Sequence, residues 1–213
     1  MDISERPDVF IDVDGTLFDT FKEDDKRIVK EIFGSNVVIK IIDSILWKIN
    51  SLDYISNSIV FLKLRFLIYS IFSFKKYSVI ISKYENMYKY FLNRCLMNID
   101  SDKLKNLKRN YDVHIVTNNP FSIDVIENYF EHIIFCKHTA HRIRNIEEHM
   151  LKKSDNCIKY FVGNNYQDDV EIAKKMKAKS VYVGSSKIVK KLMPYKCVKS
   201  FDEALDFLLI SCR

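Results

Sequence analysis

Phe10-Ile11-Asp12-Val13-Asp14-Gly15-Thr16-Leu17-Phe18-Asp19 is the stretch on which the reading of this chain turns. Val9, Phe10 and Ile11, with Val13 between the two aspartates, form a short apolar run of the kind that makes a buried strand, and Gly15 breaks it. Alternate side chains of a strand share one side, so the Asp12 and Asp14 carboxylates are expected together at its C-terminal end. Two like charges held that close are costly unless a cation or a shared proton relieves them. The pair therefore asks for a divalent metal, or for chemistry that uses one nucleophilic and one proton-transferring carboxylate.

The chain has 213 residues, enough for one sizeable core and a small accessory domain. Hydrophobic residues at 47% with 29% charge exclude a disordered chain. The net charge of +6 suits an acidic substrate such as a phosphate ester. Lys and Arg are spread without a dense block, so nucleic acid is not expected as a partner. Five widely spaced cysteines, with no CxxC and no signal peptide, point to a reduced, cytoplasmic setting. The apolar stretch 55–74 is long enough for a membrane span, but Lys63 and Arg65 near its middle would be expensive in hydrocarbon. It reads as a buried helix, with contact to a membrane or hydrophobic partner as the lesser alternative. Nothing in the pattern speaks to oligomeric state.

Two textures divide the chain. From Phe21 to Asn98 the spacing is helical: Asp24–Phe33, Val37–Ile49 (with Val38, Ile41, Ile42, Ile45, Leu46 and Ile49 on one stripe), Ile55–Phe74 and Tyr77–Leu96. From Ser101 onward apolar strands alternate with helices. Ser101 is expected to cap a helix through Arg109. Strands are expected at Val113–Val116, Ile133–Cys136, Ile158–Val162, Val181–Val183 and near Cys197–Val198. Helices are expected at Ser122–Tyr129, Ile143–Leu151, Asp168–Lys177, Lys187–Leu192 and Phe201–Leu209. This alternation predicts an α/β core with a parallel sheet and helices on both faces, whose ligand crevice lies at the C-terminal ends of the strands. The expected division is a core of residues 1–20 and 100–213, interrupted by a helical domain over 21–99.

The remaining polar constellations fall at those strand ends. Val113–Val116 runs into Thr117-Asn118-Asn119-Pro120, where a hydroxyl and backbone N–H groups at a strand-to-helix turn can hold a phosphoryl oxygen. Ile158–Val162 runs into Gly163-Asn164-Asn165-Tyr166-Gln167-Asp168-Asp169. Cys136, His138 and His141 lack a fourth ligand at recognisable spacing and are not read as a zinc site. His114, inside a strand, reads as a packed or hydrogen-bonded core histidine and not as a ligand.

These residues resemble the motifs of the haloacid dehalogenase (HAD) superfamily. Motif one, DxDGTLxDT, is matched at Asp12, Asp14, Gly15, Thr16, Leu17, Asp19 and Thr20. Thr117 stands where motif two has Thr or Ser. Gly163, Asp169, Val170 and Ala173 match motif four, VGDxxxxDIxxA, but Asn164 replaces its first aspartate and offers Mg²⁺ a neutral oxygen only. For the motif-three cation, Lys137 is narrowly preferred over Arg142 and Arg144. The resemblance implies a Rossmann-like three-layer core with a helical cap, and a Mg²⁺-dependent phosphatase acting on a small phosphorylated metabolite. Asp12 would be the nucleophile and Asp14 the acid and base. Thr117 and Lys137 would hold the phosphoryl group, Asn118 and Gly15 would line it, and Asp12, Asp14, Asn164, Asp168 and Asp169 would surround the metal. Asp14 argues against a dehalogenase. A phosphomutase shares all four motifs, and Asn164 admits a weakened protein that binds without turnover.

Overall fold

The computed structural model describes residues 6–18, 21–50, 59–136, 142–150, 160–165, 168–184 and 193–212. Six strands, β1 (Asp8–Asp12), β2 (Asp112–Thr117), β3 (His132–Phe135), β4 (Tyr160–Gly163), β5 (Lys179–Val183) and β6 (Lys196–Val198), form one sheet in the order β3-β2-β1-β4-β5-β6. Every pairing is parallel. Such strands are covered on both faces, and all five residues of β1 and all four of β4 are buried.

Around the sheet and before it lie α1 (Phe21–Phe33), α2 (Val37–Asn50), α3 (Ile59–Ser73), α4 (Tyr77–Met97), α5 (Ser101–Asn110), α6 (Ile123–Ile126), α7 (Arg142–Met150), α8 (Asp168–Lys175) and α9 (Phe201–Ile210). On one face Val9, Ile11, Ile115 and Val162 join a core with Leu107 of α5 and Leu205 and Leu208 of α9. On the other, Phe10, Val116, Ile134 and Phe161 pack with Ile146 of α7 and Ile172 and Ala173 of α8. Each large apolar side chain buried this way contributes roughly 1.5–3 kcal/mol relative to exposure. The result is the three-layer α/β architecture expected from the alternating pattern. The sheet order reverses at β1 and β4, which opens the crevice at their C-terminal ends.

Helices α1 to α4 occupy the chain between β1 and α5; α1 packs on α4, α3 on α4 and α2 on α3. The stripe expected on α2 is buried only in part, through Leu46 and the half-buried Ile42. Val38, Ile41 and Ile45 are exposed, while Ile39, Asp43 and Leu46 are buried. Apolar residues surround this helix, so hydrophobicity alone leaves its rotation open. The pairing of Asp43 with Arg65 of α3, at 2.6 Å, is what turns Asp43 inward. Arg65 itself is buried and also grips Asp25 of α1 with two bonds of 2.9 and 2.7 Å. That explains a cation in the middle of an apolar segment without a membrane. Among the described residues no helix is long and apolar enough to cross one.

Smaller differences have local causes. The cap of α5 is Asp100, not Ser101, because its carboxylate accepts the N–H groups of Asp102 and Lys103. The helix expected over Ser122–Tyr129 is a 3₁₀ turn, Pro120–Ser122, followed by the single turn of α6. Lys187–Leu192, Cys157, His138 and His141 lie outside the described residues, as do Asp19 and Thr20 of the opening motif.

Candidate active site

Strand β1 ends at Asp12, and the chain then folds tightly on itself. Phe18 N–H donates to the Val13 carbonyl at 2.8 Å and Gly15 N–H to the Phe18 carbonyl at 2.8 Å. Gly15 takes φ +85°, and a Cβ there would lie 2.0 Å from the Asn164 side-chain amide. Glycine is thus required twice over, by the left-handed backbone and by the close approach of β4's loop. The contact presses Asn164 against the turn that follows Asp12, where Thr16 Oγ1 and Asn164 Oδ1 are 3.5 Å apart.

Asp12 is nearly buried, and its Oδ1 accepts from Arg142 Nη2 at 2.5 Å. The other arm of the same guanidinium, Nη1, donates to Asp169 Oδ1 at 2.8 Å. Asp169 Oδ2 accepts the Asn165 N–H at 2.8 Å. A Cβ on Gly163 would fall 2.1 Å from that oxygen, so glycine at the end of β4 makes room for the Asp169 carboxylate. Arg142, at the first position of α7, is 4% exposed. The planar fork thus bridges two carboxylates, one cation holding those of β1 and α8 in fixed relation.

Asp14 belongs to a different set of contacts. Its Oδ1 accepts from the Tyr88 hydroxyl of α4 at 2.5 Å and its Oδ2 from Asn119 Nδ2 at 3.1 Å. Burial pushes its carboxyl up to about 7, and the charges of Asp12 and Asp25 push the same way; the Tyr88 and Asn119 bonds pull against them. The two aspartates therefore differ in kind: one is ion-paired, while the other holds a proton to near neutrality. Removing the Tyr88 hydroxyl removes a donor that favours the carboxylate. In the metal-free protein, Tyr88→Phe is expected to raise the Asp14 pKa above about 7. A carbon NMR titration of aspartate carboxyls with and without the substitution measures it, and a downward shift contradicts the assignment.

The Thr117 hydroxyl is buried and shapes its own turn. It accepts the Asn119 N–H at 3.1 Å and shares a hydrogen bond of 3.0 Å with Ser122 Oγ. Asn118 is buried beside it. Asn119 Oδ1 caps the 3₁₀ turn through the Phe121 N–H at 3.1 Å, which orients its amide toward Asp14.

Of the residues expected at the site, Asp12, Asp14, Gly15, Thr117, Asn118, Asn164 and Asp169 gather at the C-terminal ends of β1, β2 and β4. Lys137 and the side chain of Asp168 lie outside what the structure describes. Arg144 is exposed and pairs with Glu148 at 2.7 Å, away from the carboxylates. Arg142, weighed beside Lys137 for the motif-three role, contacts Asp12 and Asp169. Tyr88 and Asn119 had no signal of their own: a tyrosine on a helical stripe reads as core, and an asparagine before proline reads as a cap.

The carboxylates of Asp12 and Asp169 share one guanidinium, and that of Asp14 stands apart on Tyr88 and Asn119. Fully ionised, they leave a net negative charge that a hard divalent cation complements, and the donors are all oxygens. The residues therefore fit Mg²⁺ in chemistry, with a neutral amide oxygen from Asn164 in place of a fourth carboxylate.

No family model matches the sequence, and no curated protein resembles it. The fold does match solved structures. The HAD-hydrolase YfnB from Bacillus subtilis, crystallised with magnesium, is 15% identical over 96% of this chain and 99% of that one, with a TM-score of 0.65. The 2-haloacid dehalogenase of Pseudomonas syringae is 13% identical over 98% and 100%, at 0.60. A HAD phosphatase from Thermococcus onnurineus is 17% identical over 95% and 97%, at 0.58.

Proposed function

Starting from a haloacid dehalogenase fold that spans the chain, we propose that this protein is a hydrolase of small phosphate monoesters working through an aspartyl-phosphate. One observation carries the reading: Asp12 and Asp14 lie one residue apart in environments that separate their protonation, as acid and nucleophile require. Asp12, kept ionised by Arg142, attacks phosphorus and expels the leaving oxygen. Asp14 gives its proton to that oxygen, then takes one from the water that attacks the aspartyl-phosphate, releasing phosphate and restoring Asp12. Arg142 balances the charge on the transferring oxygens. Mg²⁺ held by Asp12, the Asp14 backbone, Asn164 and the Asp168–Asp169 pair would screen the anionic substrate from the anionic nucleophile. The magnesium bound to YfnB supports that part of the reading. Helices α1 to α4, which bring Tyr88 onto Asp14, serve as the lid that excludes water. A cytoplasmic setting belongs to the same proposal and is supported by four cysteines that form no disulfide, Cys95, Cys136, Cys197 and Cys212.

The test is hydrolysis of p-nitrophenyl phosphate with and without Mg²⁺, scored against Asp12→Asn. Equal rates for wild type and variant would sink the hydrolytic reading, while capture of BeF₃⁻ without turnover would favour a phosphate-binding protein weakened by Asn164. Arg142→Lys keeps one positive charge but loses the fork that spans Asp12 and Asp169. It is expected to lower kcat/KM by about 100-fold, the scale of one lost charge-stabilising donor, with the melting temperature measured alongside to confirm folding. A loss under about threefold removes Arg142 from the mechanism.

A further inference from the structure

We propose that Asp8, Asp112, His114, His132 and His149 form a binding site for a divalent transition-metal ion of the zinc class, at the end of the sheet opposite the aspartate pair. Asp8, Asp112 and His132 are the first residues of β1, β2 and β3. Asp8 is in register with Asp112, and His114 with His132, so the side chains of all four leave the same face of the sheet. Helix α7 follows β3 and runs back along that face, which returns its last turn, with His149, to the strands' N-terminal ends. The His149 ring lies 5.1 Å from that of His114 and 6.1 Å from that of His132. Three of the five histidines in the chain thus meet at one place that has no part in the phosphate site. Four residues of strand separate Asp8 from Asp12, roughly 13 Å.

The geometry is that of a ligand set. One ligand atom from each of Asp8, Asp112 and His114 lies within 4.8 Å of the others. His114 Nε2 is 3.0 Å from Asp8 Oδ1, and His132 Nε2 is 3.5 Å from Asp112 Oδ1. Neighbouring ligand atoms on a tetrahedral ion with bonds of about 2.0–2.1 Å stand roughly 3.3 Å apart. The imidazole of His114 is 2% exposed, and its Nδ1 is buried with no hydrogen-bond partner. Stacking on Phe10 and the bond to Asp8 account for a core histidine, but not for Asp112, His132 and His149 gathered beside it. The nitrogen-rich set excludes Mg²⁺ and Ca²⁺, which take oxygen, and suits Zn²⁺, Co²⁺ or Ni²⁺. Bound there, the ion would clip β1, β2, β3 and the end of α7 together.

The full chain, stripped with chelator, is titrated with Zn²⁺ by calorimetry and with Co²⁺ by its visible ligand-field absorption. His132→Ala/His149→Ala removes two exposed ligands and spares the buried core, while Asp12→Asn reports on the other end of the sheet. We expect one Zn²⁺ per chain and a four- to five-coordinate Co²⁺ spectrum in wild type and Asp12→Asn, and affinity at least about tenfold weaker in the double variant. A rise in melting temperature on adding Zn²⁺ is expected in the first two only. No Zn²⁺ binding by wild type, affinity unchanged in the double variant, or loss confined to Asp12→Asn would each overturn the proposal.

Discussion

Asp12→Asn is expected to hydrolyse aryl phosphates at least about 10⁴-fold more slowly than wild type while remaining folded. Removing a covalent nucleophile costs far more than removing any one stabilising contact, because no other group can form the intermediate. Asparagine is nearly isosteric, and Arg142 keeps Asp169 as a partner at 2.8 Å, so the buried guanidinium is not left without a countercharge. The substitution also removes one of the charges that raise the Asp14 pKa, which should fall in the variant. Thermal unfolding within a few degrees of wild type, together with the kinetic loss, assigns the effect to chemistry. A variant that retains a tenth of the activity would show that Asp12 is not the nucleophile.

The largest stability effect is expected at Arg65, in the helices that follow β1. Its guanidinium holds Asp25 by two bonds and Asp43 by one, and its Nε donates to the Tyr69 hydroxyl at 2.7 Å. The Tyr84 hydroxyl donates to Asp25 and that of Tyr69 to Asp43. Burial alone would favour a neutral guanidine, but the Asp25 charge more than offsets it, and the Arg65 pKa is raised well above its usual value. Arg65→Met fills the volume but strands two buried carboxylates, a loss of roughly 3–5 kcal/mol. For a chain of this length that is roughly a 10 °C fall in melting temperature. Neutralising the acids as well, with Asp25→Asn/Asp43→Asn/Arg65→Met, is expected to recover much of it, since breaking a buried pair costs more than replacing it. A single variant within about 1 kcal/mol of wild type would show that the network contributes little.

The same network shows where sequence reasoning stops. In α2 the apolar character was legible but the buried face was not, because Ile39, buried off the expected stripe, is as apolar as Ile41 and Ile45, exposed on it. That face is set by Asp43 meeting Arg65, and that pair is 22 residues apart. Arg142 is a sharper case. It reaches Asp12 across 130 residues, and its position among 34 basic residues singled it out no more than Lys137 or Arg144. Tyr88 reaches Asp14 across 74 residues from a helix whose stripe reads as core.

By itself the sequence determined the parallel α/β core, the helical segment between β1 and β2, the Asp12–Asp14 pair at a strand end and the neutral Asn164 beside it. Those are local facts: the period of apolar residues, a glycine that breaks a strand, the residue type at a turn. Tertiary structure alone decided that Arg142 reaches Asp12, that the Tyr88 hydroxyl and the Asn119 amide meet the Asp14 carboxylate, and that Asp8, Asp112 and three histidines converge at the N-terminal ends of the strands. Each of these joins groups far apart in the chain, and only strand register and the packing of α4 and α7 bring them within bonding distance.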